Sequence, residues 1–235
     1  MLALPPTLTV YILLLAVIHL HVLLPPELDD WIITTFGFVP DDAGARIWTF
    51  VTYSLLHANL IHLGVNVLWL LPFGSALAWR FGPFRFFLFM AVTAAAGALA
   101  HLVTYADSEM PMIGASASVS GAMAAAIRFA FARGSFLSFG RADGDDGAES
   151  AAKVPAWPLS RALSDARVLS FLAAWFGTNI IFGSIGVGAG GAMVAWQAHI
   201  GGFLAGLLLF SLFDPVSHAG PDAADASSGQ FSDRL

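Results

Sequence analysis

The chain has 235 residues, of which 57% are hydrophobic and 11% charged, with a net charge of −6 and no cysteine. A soluble domain carries about 25% charged residues, so this composition, with a mean hydropathy of +0.76, describes an all-α polytopic membrane protein. The acidic balance and the absence of a basic cluster speak against a nucleic-acid partner, and without cysteine there is no disulfide, catalytic thiolate or thiolate-held metal.

A spanning helix needs about 20 mainly apolar residues. Runs of this kind lie at 8–24, 62–79, 84–105, 115–132, 168–182 and 192–213, which predicts six spans. MLALPPTLTV has no positively charged region ahead of the first run, so that run is expected to be retained as a span. Leu, Phe and Trp load the first three spans, whereas Ala and Gly dominate the last three, which are expected to form the closely packed interior.

The linkers differ in character. Residues 25–53 are acidic yet carry Trp31, Phe36, Phe38, Trp48 and Phe50, enough apolar material to dock on the bundle or the membrane interface, and a structured loop is expected. Residues 135–164, centred on GRADGDDGAES, and the tail 215–235 have little to bury and are expected to be disordered. The glycine-rich IGVGAGG at 185–191 is expected to be a flexible loop able to gate a site.

Orientation follows from the basic residues. Arg80, Arg85, Arg128, Arg133, Arg141, Lys153, Arg161 and Arg167, eight of the ten lysines and arginines, fall around the loops after spans two and four. The positive-inside rule then makes both termini cytoplasmic. The starts of spans two, four and six face outward.

None of the 16 acidic residues lies in the middle of a span. A carboxylate relay for proton-coupled transport and a paired-aspartate protease both need one there. There is no HExxH for zinc hydrolysis either. Histidine remains: His19 and His21 in span one, His57 and His62 at the entry to span two, His101 in span three and His199 in span six. His62 and Asn66 are one helical turn apart and share a face. His199 is expected about six residues, roughly 9 Å, below the outer end of its span. Gly202 and Gly206 form a GxxxG pair that admits a close neighbour. The small residues of PMIGASASVSG, beginning span four, supply one. That juxtaposes Ser116, at a helix start whose N–H groups have no intrahelical acceptor, with the imidazole of His199, a nucleophile and a general base. Ser120, one turn beyond Ser116, is the rival nucleophile. His19, His21 and His101 have no motif partners and are expected to be structural.

Three separated segments carry a family resemblance. HANLIHLGVN is similar to the HxxxxHxxxN entry of the second helix of rhomboid intramembrane serine proteases, GASASVSG to their GxSG nucleophile segment, and AHIGGFLAG to their AHxxGxxxG. The resemblance implies a six-transmembrane-helix rhomboid-like bundle over 1–214, with Ser116 as nucleophile and His199 as general base. His62, Asn66 and the Ser116 N–H would form the oxyanion hole, supported by His57, Gly114 and Gly202, and Trp175 and Phe176 would be gating aromatics. It further implies hydrolysis of peptide bonds in or near the spans of single-span membrane proteins, without cofactor or metal. The expected setting is a bacterial inner membrane, with the site open to the outer side. Ala117 stands where the family pattern has a second glycine, and Thr49 follows Trp48 where many members have arginine. The competing reading is a catalytically silent relative that binds membrane-protein clients.

Overall fold

A computed structural model describes residues 4–133, 152–185 and 194–216. The glycine run after Ile185, the tail from 217 and residues 134–151 of the linker lie outside the described residues. The described chain is helical, with a single isolated antiparallel bridge between Phe38 and Met112.

Helix α1, Pro6–His19, begins with proline in its first turn, where the missing N–H costs nothing, and runs on into a 3-10 turn, Leu20–Leu23. Pro25 and Pro26 restart the chain as α2, Pro26–Phe36, and a short α3, Thr49–Thr52, follows. Then come α4, Leu60–Trp69, and α5, Ser75–Thr104, joined by a π-helical turn at Leu70–Gly74. The apolar stretch Leu60–Thr104 is 45 residues long, about twice a membrane crossing. It breaks at Gly82, where φ is 70° ahead of Pro83, where the sequence predicts the turn between spans two and three. Helix α6 is Ser116–Ala126, α7 is Leu159–Ala162, α8 is Ala166–Ile185 and α9 is Trp196–Phe213.

The fourth span is shorter as an α-helix than the sequence predicts. It ends at Ala126 and continues in tighter turns, with Arg128 and Phe129 bonding back three residues to Ala125 and Ala126. The cause is Arg128: its Nε donates to the Trp157 carbonyl at 2.7 Å, while Trp157 N–H donates to the Arg128 carbonyl at 2.7 Å. Residues 152–157, within the linker expected to be disordered, are thereby tied to the bundle. Beside them Arg80 forms a two-bond ion pair with Asp214 at 2.7 and 2.8 Å and donates to the Val154 carbonyl. Its guanidinium lies 4.4 Å from the Phe129 ring centre. This arrangement locks the first part of α5, just ahead of the break at Gly82, to the residue that follows α9.

Helix α6 is the central element, with every residue from Ala117 to Ala126 buried. Its contacts with α9 are backbone on backbone. A methyl group at Gly202 would overlap the Ala117 carbonyl, and one at Gly206 the Gly121 carbonyl. The inner core is aromatic and aliphatic, with Phe73, Phe81, Phe86, Phe89, Phe129 and Phe210 fully covered. Exposed Val10, Leu13, Leu60, Phe84, Val103, Leu208 and Leu212 face outward, an apolar exterior suited to lipid.

A second cluster, Phe38, Ala43, Tyr53, Ala94, Ala98, Met112, Ala117 and Ala198, lies at the other end. Here the first loop is ordered, as its aromatic content predicts. Phe38 and Met112 exchange backbone bonds at 3.0 and 2.8 Å, Gly114 N–H donates to the Tyr53 carbonyl, and Tyr53 OH donates to the Ala94 carbonyl. Thr49, where the family pattern has arginine, is buried and donates its hydroxyl to the Arg46 carbonyl at 2.6 Å. Arg46 itself bonds the Thr34 carbonyl.

Ala117 meets α5 at Gly97, where an added methyl would lie 2.5 Å from the Ala117 Cβ and 2.8 Å from the Ala198 carbonyl oxygen. Gly97→Ala should therefore lower stability by about 1–3 kcal/mol, the usual cost of overpacking a filled core. Adding Ala117→Gly should return part of the loss, and thermal unfolding in detergent measures both. Equal losses in the single and double variants would place the strain elsewhere.

His57, in the loop between α3 and α4, accepts from the Ala115 N–H at 3.4 Å. Burial, then the neighbouring His62 and His19, lower its pKa from 6.5 to about 3. Between those values the unfolded chain binds a proton that the folded chain does not. Stability therefore rises with pH across that window and is lost as pH falls through it. The unfolding midpoint is expected to drop between about pH 6.5 and pH 4 and to drop less in His57→Gln, which keeps an acceptor for Ala115. An unchanged slope in the variant would remove His57 as the cause.

Candidate active site

Three helix starts converge beside this second cluster. The first is α4, capped by the Asn59 side chain, which accepts from the His62 N–H at 2.9 Å. This is the ordinary work of an N-cap residue, and it places His62 in the first turn. The second is α6, which Ser116 opens after Gly114 and Ala115. Gly114 has φ 130°, and a methyl there would lie 2.7 Å from the His62 ring. Only glycine suits both its backbone and that close imidazole. The third start is α9, which begins at Trp196. His199 is consequently in the first turn, nearer the helix start than the sequence reading places it.

His199 Nε2 lies 2.7 Å from Ser116 Oγ. The contact follows from the close approach of α6 and α9, since Gly202 is one turn beyond His199 and packs on the residue after Ser116. The other hydroxyls of the segment are engaged elsewhere. Ser118 donates to the Met90 carbonyl at 2.8 Å and Ser120 to the Ser116 carbonyl at 2.7 Å. Of the three serines, Ser116 is the one beside an imidazole.

Asn66 is buried one turn after His62 and donates one amide N–H to the His62 carbonyl at 2.9 Å, leaving the second for another acceptor. The Ser116 N–H, in the first turn of α6, has no acceptor within its helix. Trp175 and Phe176 on α8 pack on Phe203 of α9, with ring centres 4.7 and 5.6 Å apart.

Two features escape the sequence reading. Asn179 on α8 is buried, and its Oδ1 lies 2.5 Å from His199 Nδ1. The only signal for it in the sequence is an amide inside the apolar run LAAWFGTNIIF. The second feature is a row of imidazoles reaching the site. His21 is paired with Asp29. His19 lies 5.9 Å from His21 and 6.5 Å from His57, and His57 lies 5.2 Å from His62. His19 and His21 thus join the surroundings of His57 and do not stand apart from the motif. His101 packs on Tyr105 at 5.3 Å. Among the described residues no cluster of three or more His, Asp or Glu has metal-binding geometry.

The arrangement offers a hydroxyl, an imidazole that can take its proton, and several donors at a helix start where negative charge is favoured. Comparison with known proteins gives the family. Residues 44–214, well over half of the chain, match the Rhomboid domain family model. Human Rhomboid-related protein 3 is 37% identical over 75 residues, which is 32% of this chain and 18% of the human protein. The match therefore spans less than a fifth of that relative's length. With its long apolar helices, the chain is an integral membrane protein and belongs to the rhomboid family.

Proposed function

We propose that the protein is an intramembrane serine endopeptidase working through a Ser116–His199 dyad. The observation that carries this reading is the 2.7 Å contact between Ser116 Oγ and His199 Nε2 at the start of a buried helix. In the first half-reaction Ser116 Oγ attacks the scissile carbonyl while its proton passes to His199 Nε2. The oxyanion is met by the Ser116 N–H, His62 and the free N–H of Asn66. His199 then gives the proton to the leaving amine, and the acyl group stays on Ser116. In the second half His199 takes a proton from water, which attacks the ester, and returns it to Ser116 Oγ as the acyl–oxygen bond breaks and the new carboxyl group is released.

The substrates are single-span membrane proteins whose helices unwind locally at the cut. The six-span arrangement with cytoplasmic termini is supported by the break at Gly82 and by the position of Arg80, Arg128 and Asp214 at the end of the bundle opposite Ser116. The site then opens to the outer face, where water reaches it.

A fluorophosphonate probe tests the chemistry without a known substrate. Folded wild-type protein is expected to label, and labelling and cleavage of co-expressed single-span proteins should both vanish in Ser116→Ala. Absence of Ser116-dependent labelling would favour the client-binding reading instead. Substrate is expected to enter between α4 and α8. Because the chain has no cysteine, an introduced pair bridging these helices should suppress cleavage of membrane substrates at unchanged probe labelling. Full turnover in the linked protein would rule out that entry route.

A further inference from the structure

Asn179 lies on α8 one turn beyond Trp175, and its Nδ2 donates to the Trp175 carbonyl at 2.9 Å. That bond decides which end of the amide faces α9. A flipped amide would set its oxygen against the Trp175 carbonyl and an N–H against the imidazole, so Oδ1 is the end that meets His199 Nδ1, 2.5 Å away. An acceptor there requires the proton to sit on Nδ1. The lone pair of Nε2 is then the one that faces Ser116 Oγ at 2.7 Å.

The same two helices meet again one turn away. Trp175 and Phe203 are each four residues from Asn179 and His199, respectively, and their rings stack with centres 4.7 Å apart. The aromatic layer therefore sets the helix separation at which the amide reaches the imidazole.

We infer that Asn179 is a positioning residue that holds His199 in the Nδ1–H tautomer able to take the Ser116 proton. It does so from α8, so the base is aligned only while α8 is packed on α9. This rests on the proteolytic reading above and adds to it a link between substrate entry and base alignment. Displacement of α8 for entry breaks the Asn179–His199 bond, and its return restores it. No proton leaves the amide. Nδ1 keeps its hydrogen throughout, while Nε2 gains and loses the one exchanged with Ser116, water and the leaving amine.

The test uses full-length protein in detergent with the fluorophosphonate probe. Asn179→Leu removes the acceptor at similar volume, and Asn179→Asp retains an oxygen within reach of Nδ1–H. In the leucine variant the labelling rate at saturating probe is expected to fall roughly 10- to 100-fold, less than the ~10⁴-fold lost when an anionic orienter is replaced and the tautomer is wrong. The half-saturating probe concentration and the unfolding midpoint should stay at their wild-type values. Asn179→Asp should recover most of the rate. The ¹⁵N signals of His199 should report one tautomer in wild type and a mixture in Asn179→Leu, and Asn179→Ser serves where leucine reduces the folded yield. Wild-type labelling rates in Asn179→Leu, or a loss that tracks a lowered midpoint and is not recovered by aspartate, would overturn the positioning role. Trp175→Ala should slow labelling through the same contact, so the double variant should be no slower than Asn179→Leu alone. Multiplying effects would overturn the link to α8. A wild-type protein that does not label fails the proteolytic reading itself, which separates the two outcomes.

Discussion

The fold depends on the backbone contact between α6 and α9. Lipid gives packed helices no hydrophobic advantage over lipid-exposed ones, so association rests on close van der Waals approach and on internal hydrogen bonds. Gly202 against the Ala117 carbonyl and Gly206 against the Gly121 carbonyl bring the two helices as near as backbones allow. Gly121 in turn faces Thr93 of α5, whose hydroxyl is bonded to its own helix at Phe89. A site with a 2.7 Å contact between side chains of two helices needs that spacing fixed to a fraction of an ångström. Small residues fix it better than interdigitating large ones, because they leave no rotamer to adjust.

The cluster around Phe38 and Tyr53 does for the chain entering α6 what the glycines do for its packing. Residues 111–115 have no helix of their own and are held by the first loop on one side and His57 on the other. The loop spends its aromatic residues on that task. Phe38 and Tyr53 are buried against the α5 and α9 alanines, whereas Trp31 and Trp48 stay largely exposed, available to a membrane interface. At the opposite end Arg80, Arg128 and Asp214 close the bundle with charge-assisted bonds shielded by Phe129 and Phe210. One end is thus held by a buried ion pair and the other by small residues and hydrogen bonds, its ion pairs His21–Asp29 and Arg46–Asp42 lying in and beside the first loop, and the candidate site is at this second end.

How much of this is legible in the sequence depends on whether a feature is carried by spacing or by geometry. Ser116, His199, His62 and Asn66 sit in segments whose spacing marks them, and the GxxxG pair already names the helix face that α6 covers. The length of α6 is not legible, because its end is set by Arg128 reaching Trp157, a contact between residues 29 positions apart. Nor is the destination of the Ala117 methyl, which depends on Gly97 facing it across α5. Asn179 is the plainest case. A single amide in an apolar run has many uses, and only the pairing of its two ends with the Trp175 carbonyl and His199 sets it apart from simple back-bonding. His19 and His21 likewise gain significance only from the contact that brings them beside His57.

The convergence of three helix starts has a consequence for charge. His62, Ser116 and His199 each lie in a first turn, so the positive ends of α4, α6 and α9 point at one place. Under the proposed reaction, that field would favour an oxyanion at the substrate carbonyl and oppose the positive charge that His199 would acquire in the same step. A transition state holding both charges a few ångströms apart is helped at one end and hindered at the other. In many serine hydrolases a carboxylate behind the imidazole offsets the hindrance. Here no acidic residue is inside α8 or α9, and the amide oxygen of Asn179 supplies a partial negative charge at the position where an anion would stand. A neutral group of this kind gives weaker support to the cation. It also avoids placing a full charge at membrane depth, where an unpaired carboxylate would cost several kcal/mol. Under the proposed reaction, the dipoles of the helix starts and the amide of α8 would together let acyl transfer proceed with no buried anion in the resting site.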